Sequence, residues 1–183
     1  LYICIALLGS LIVYRKAQYL LGFIALMTLL GIYRITTLST KSRQQKIVVY
    51  HLNKQSLIDF WDGGKVYSLS DTIASRKEMF AAQANRITGA VTEKTALHFS
   101  ADSLFSQGNL LIDGPFIEFF DKKIILLDDA GQIRSAGKKR MDADVLLLCK
   151  NPKVTIAQCR EHFSFQIVVF DASNSQRQTE RWR

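Results

Sequence analysis

The sequence predicts an α/β domain with a mixed sheet, preceded by two transmembrane helices. Three observations predict it. Two long apolar runs open the chain, short β-type runs follow from residue 46, and the last third reads strand, helix, strand, helix. The 183 residues carry Lys+Arg 24 against Asp+Glu 16, with only 2 Pro and 10 Gly. That composition excludes collagenous and proline-rich disordered chains. Three Cys are too few, and odd in number, for a disulfide-stapled secreted module. No repeat at a fixed period points to a solenoid or propeller.

The first apolar run, LYICIALLGSLIVY at 1–14, ends at Arg15-Lys16, and the second, AQYLLGFIALMTLLGIY at 17–33, has no charge. A spanning helix needs about 20 apolar residues and at least about 17. The second run qualifies; the first is expected to be the end of a helix truncated at residue 1. A signal peptide would place its basic residues ahead of a single short apolar run, and here they follow the first of two. Tyr2, Tyr14, Tyr19 and Tyr33 sit near the run ends, as interfacial anchors do. Residues 1–35 are thus expected to form a transmembrane hairpin, 36–46 a basic linker, and 47–183 a soluble domain truncated at its C-terminus. With the Arg15-Lys16 tip in the cytoplasm the soluble domain lies on the extracytoplasmic side. The bases at 34–46, taken alone, argue for the opposite orientation.

The charge is unevenly spread. Residues 1–46 hold six bases and no acid, leaving 18 bases and 16 acids beyond them. The high isoelectric point is therefore no argument that the soluble domain binds nucleic acid.

The soluble elements follow in order. IVVYHL at 47–52 reads as a strand. Residues 57–61 and 65–69 flank Asp62-Gly63-Gly64 and read as a hairpin. Residues 75–85 suit a short helix, and 96–100 a strand. Residues 109–112, 116–120 and 124–127 read as successive strands, the last pair turning at Asp121-Lys122-Lys123. VLLLC at 145–149 is continuously apolar, as a strand buried on both faces is. Residues 155–163 suit a helix capped by Thr155 or Asn151, 166–170 a buried strand, and 174–183 a final helix.

Catalytic signatures are missing. His51, His98 and His162 lie in no zinc-binding spacing, and the chain has no GxSxG, Walker or GxGxxG motif. Cys149 and Cys159 read as buried small hydrophobes. Asp128-Asp129, Asp142 and Asp144 lie at strand ends, where carboxylates either hold a hard cation or line solvated turns. Asp171, Ser173 and Asn174 form a candidate loop at the carboxyl end of a strand, where open α/β sheets bind ligands. The simpler reading is that Ser173 or Asn174 caps the next helix. Lys138, Lys139 and Arg140 form a basic run.

Two blocks carry a resemblance. KIVVYHLNKQSLIDFWDGGKVYSLSD leads from apolar helices through a basic linker into hairpins, and DVLLLCKNPKVTIAQCREHFSFQIVVFDASNSQRQTERW closes the chain. In pattern and order the sequence resembles the C-terminal part of ComEC-type DNA-internalisation channel proteins of bacterial natural competence. The resemblance covers essentially the whole chain. It implies a metallo-β-lactamase-like sandwich, here incomplete, behind the last membrane helices of a multi-pass protein of the cytoplasmic membrane.

Metal-binding members carry an HxHxDH-type motif after the first hairpins, and between Asp71 and Phe99 this chain has only His98. Where those members have a His-containing loop after a later strand, it has Cys149-Lys150-Asn151-Pro152. No metal ligand carries over, no cofactor is expected, and zinc-dependent hydrolysis loses its basis. The resemblance implies an accessory module of a channel for transforming single-stranded DNA, partnered by the membrane, other competence proteins and a second copy of itself. Lys138, Lys139 and Arg140, with Arg177, Arg181 and Arg183, are the candidate DNA contacts. Two alternatives stand beside it. One is a metal-dependent nuclease with ligands from Asp71, His98, Asp128 and Asp171; the other is a membrane-anchored structural or sensory domain.

Overall fold

The computed structural model describes residues 17–41, 43–52, 54–70, 76–99, 103–135 and 140–182. The chain divides into two units, Leu1–Arg43 and Gln44–Arg183.

In the first unit one helix is described, α1 (Ala17–Lys41). Its stretch Leu20–Thr37 is long and apolar enough to cross a membrane, and none of it is buried. One such helix is described where two were expected, because the run at 1–14 lies outside the described residues. The helix continues into residues expected to be linker. Thr36 and Thr37 donate their hydroxyls to the Tyr33 carbonyl, and Thr40 to that of Thr36. These hydroxyls find their acceptors on the preceding turn of the same helix.

The second unit is mixed α/β. A four-stranded sheet has the order β1 (Gln45–Val49), β2 (Leu57–Asp62), β3 (Lys65–Ser70), β4 (Glu93–His98). β1, β2 and β3 are antiparallel neighbours, and Asp62 pairs with Lys65 across the two-residue turn Gly63-Gly64. Gly63 takes φ 63, the left-handed conformation such a turn requires. β4 joins parallel to β3 after the crossover helix α2 (Arg76–Thr88). Both α2 and β4 lie within a few residues of their expected positions.

A six-stranded sheet has the order β12, β10, β8, β7, β6, β5. β5 (Leu104–Gln107), β6 (Leu110–Asp113), β7 (Phe116–Phe119) and β8 (Lys122–Leu127) form an antiparallel meander. β10 (Val145–Leu148) and β12 (Ile167–Phe170) then add parallel to β8. α3 (Gly131–Ser135) follows β8. α4 (Ile156–His162) links β10 to β12, and α5 (Gln176–Trp182) follows β12. A short parallel pair joins β9 (Met141–Asp142) to β11 (Phe163–Ser164). Thr155 caps α4 in a reciprocal capping box with Gln158, which decides between the two cap candidates.

One apolar cluster draws on both large sheets: Ile58, Phe60, Tyr67 and Leu69 with Leu110, Ile117, Phe119, Leu126 and Leu147. Phe60 meets Phe119 edge to face at 5.5 Å. Period-2 alternation sends Ile125, Leu127, Leu146 and Leu148 to a second cluster with Cys159, Phe163 and Trp182. The central strands are therefore buried on both faces, which is why VLLL reads as unbroken apolar sequence. On the other face of β2, Asp59 is fully buried and Arg86 of α2 meets it bidentately at 2.6 and 2.7 Å. Ser68 and Tyr50 complete the network.

Candidate functional site

β8, β10 and β12 are parallel, so the loops that follow them leave from one edge of the sheet. That edge is where α/β sheets present ligand-binding groups. It brings together Asp128 after β8, Lys150 and Asn151 after β10, and the Asp171–Asn174 loop after β12.

The groups are bonded chiefly to one another. Lys150 Nζ lies 3.2 Å from Asp128 Oδ2 and 5.6 Å above the centroid of the Phe99 ring. Gln132 donates to Asp128 Oδ1 at 2.8 Å. Lys150 and Asn151 both adopt left-handed backbone, φ 59 and φ 55, a conformation Asn tolerates and Lys rarely takes. The β12 loop holds them there. Lys150 N donates to Ser173 Oγ at 2.7 Å, Asn151 N to Asn174 Oδ1 at 2.9 Å, and Ser175 N to Asn151 Oδ1 at 2.6 Å. Asn174 Nδ2 reaches back to the Leu148 carbonyl at 2.6 Å.

This overturns the capping role considered for Ser173 and Asn174. Their side chains stitch two loops together, and Gln178 N donates instead to Ser175 Oγ, at 3.3 Å. Asp171 is buried and anchors the stitch, with Oδ1 accepting from Ser173 N, Ser173 Oγ and Asn174 Nδ2. Its Oδ2 is buried without a hydrogen-bond partner among the described residues. Burial first, and then the Asp171 charge, push the Cys149 thiol far above its ordinary range. Burial pushes the Cys159 thiol up to about 11. Both thiols are therefore protonated and unreactive at neutral pH.

Ser56, Ser70, Phe99, Asp128, Cys149 and Lys150 line a cavity of about 10 Å³, roughly one water in size. The ligand set weighed for a metal-dependent nuclease, Asp71, His98, Asp128 and Asp171, is not brought together here among the described residues. An ammonium already stands on Asp128, His98 is exposed, and among the described residues no three His, Cys, Asp or Glu converge to hold an ion. Asp71 lies outside the described residues.

The basic candidates separate. Arg177 and Arg181 are exposed one turn apart on α5, which Trp182 Nε1 fastens to the Val154 carbonyl at 2.8 Å. Arg140 is exposed just before β9, on an open groove of about 490 Å³ that Asp113, Glu118 and Asp142 also line. Its surroundings are therefore acidic as much as basic. Lys138, Lys139 and Arg183 lie outside the described residues. Sequence reasoning missed the part Lys150 plays. Its only signal was a base placed directly after a buried strand, where the resemblance expects a histidine.

Residues 47–183 match the family model described as the ComEC C-terminal domain. No curated protein and no solved structure matches the chain.

Proposed function

Because the chain belongs to the ComEC C-terminal domain family over residues 47–183, we propose that it is part of a membrane channel admitting transforming single-stranded DNA during natural competence. The domain serves that channel as an accessory module and performs no hydrolysis itself. The family match carries the reading. The edge formed by β8, β10 and β12 supports the non-catalytic half, since Asp128 is paired with Lys150 and Asp171 Oδ1 is taken up by Ser173 and Asn174. On this reading residues 1–35 form a membrane hairpin, of which α1 is the second arm. Residues 47–183 form a metallo-β-lactamase-like sandwich on the extracytoplasmic side. An apolar core shared by both sheets supports the sandwich.

DNA would be gripped through phosphate contacts from Arg177 and Arg181, with Lys138, Lys139, Arg140 and Arg183 as further candidates. In-frame deletion of the full gene tests the role. The expected result is loss of natural transformation by linear DNA, with electroporation intact. Unchanged natural transformation in a competent host overturns the channel reading. Charge reversal of Arg177 and Arg181 in the full chain tests the grip. It is expected to weaken single-strand binding and flatten its salt dependence; unchanged affinity and salt slope remove these residues from it.

A further inference from the structure

The loop that follows β10 is bonded to α5 at both ends. Asn151 Oδ1 accepts from Ser175 N at 2.6 Å just ahead of the helix, and the Val154 carbonyl accepts from Trp182 Nε1 at 2.8 Å at its last residue. Between those ties Val154 N donates to the Pro152 carbonyl at 2.8 Å, which closes a tight turn with Lys153 at its apex. Pro152 and Val154 are buried and Lys153 is exposed. The turn therefore fixes where the lysine stem leaves the surface. On α5 the more buried side is Gln178, Thr179 and Trp182. Helical periodicity then puts Arg177 and Arg181 on one flank and Gln176 and Glu180 on the other. Glu180 accepts from Gln176 at 2.9 Å. Among the described residues Lys153, Arg177 and Arg181 form no ion pair, whereas Lys150, the other base of the loop, is held on Asp128.

We infer that Lys153 is a further phosphate contact of the surface that Arg177 and Arg181 begin. The inference rests on the reading that α5 grips DNA. Arg181 directly precedes Trp182 and Lys153 directly precedes Val154, so the bond between Trp182 and Val154 holds the two cations as neighbours. Trp182 is itself fixed, buried and stacked on Phe170 at 5.2 Å. The loop and the helix thus present their bases as one rigid piece. These bases are spread along a helix and its adjoining loop and do not converge on one point. That arrangement suits a ligand whose charge repeats along its length, a nucleic-acid backbone, better than a single phosphate.

The test uses the full chain in detergent and a fluorescent oligothymidylate, with binding followed by anisotropy between about 50 and 200 mM KCl. Each phosphate contact on a single strand adds about 0.7 to the slope of log affinity against log salt. Lys153→Gln is expected to lower that slope by about 0.7 and the affinity at about 0.1 M salt by about fivefold, and Lys153→Arg to keep both. Lys122→Gln removes an exposed base at the start of β8, away from the loop edge, and is expected to change neither. An unchanged slope in Lys153→Gln, with flattening on charge reversal of Arg177 and Arg181, overturns the inference and leaves the reading of α5 standing. Absent binding, or a slope that neither set of substitutions moves, overturns the two together. An equal drop in Lys122→Gln shows a response to net charge and also overturns the inference.

Discussion

Single residues set tight limits in the first layer of the second unit. Trp61 is fully buried and lies against the backbone that ends α2. A Cβ on Gly89 would sit 2.1 Å from its ring. Gly89→Ala is expected to destabilise the unit by about 1–3 kcal/mol in urea unfolding, since a buried indole must shift. The next residue gives the opposite sign. Ala90 holds φ 58 at the turn where Ala90 N and Val91 N bond the carbonyls of Ile87 and Arg86. Glycine is the usual occupant of that position, and Ala90→Gly is expected to stabilise by about 0.5–1 kcal/mol. Tyr50 offers a pH test. Burial first, with Asp59 adding to it and Asn85 opposing, raises its phenol to about 12. The folded state thus holds this proton more tightly than the unfolded chain. The contribution is complete below pH 10 and is lost as pH rises from 10 to 12. Urea midpoints across that window should fall, and Tyr50→Phe should shallow the fall.

Elements were legible where burial writes a pattern. β8 and β10 read directly from sequence because they are apolar on both faces, and the β2–β3 hairpin because Gly-Gly separates two apolar runs. β5 was missed because LFSQ is an edge strand with one inward residue, Phe105, packed on the core. β9 and β11 are two residues each, too short to carry a period. The candidate loop was legible as a place and not as a device. Asp171, Ser173 and Asn174 stood out, but their partners Lys150 and Asn151 lie 23 residues or so away in sequence, and no local signal announces such a bond. The stitch makes its own prediction. Asn174→Ala removes bonds to Asn151 N and to the Leu148 carbonyl, at an expected cost of about 1–3 kcal/mol. Ser175→Ala, which loses the bond from Gln178 at the start of α5, should cost about 1 kcal/mol. A smaller loss for Asn174→Ala than for Ser175→Ala would show that the loops hold their left-handed backbone without the stitch.

In the second unit one apolar cluster, drawn from both large sheets, ties the sheets together. The chain has 2 Trp, and they sit in different layers: Trp61 on β2, Trp182 at the end of α5, where it stacks on Phe170 at 5.2 Å. In Trp61→Phe and Trp182→Phe variants the remaining indole reports one layer. Both fluorescence transitions are expected at the same urea concentration as the circular dichroism transition, because the shared cluster couples the sheets. Two separated midpoints would show that the layers unfold independently.

That shared core also fixes an order in time. The four-stranded sheet is complete in sequence at His98, yet the buried residues that cover its inner side chains Ile58, Phe60, Tyr67 and Leu69 come in between Leu110 and Cys149. At ribosomal speeds this wait lasts roughly 2 to 10 s. Until then the apolar face of a sheet already complete in sequence is only partly covered, which exposes the growing chain to non-native association over this stretch.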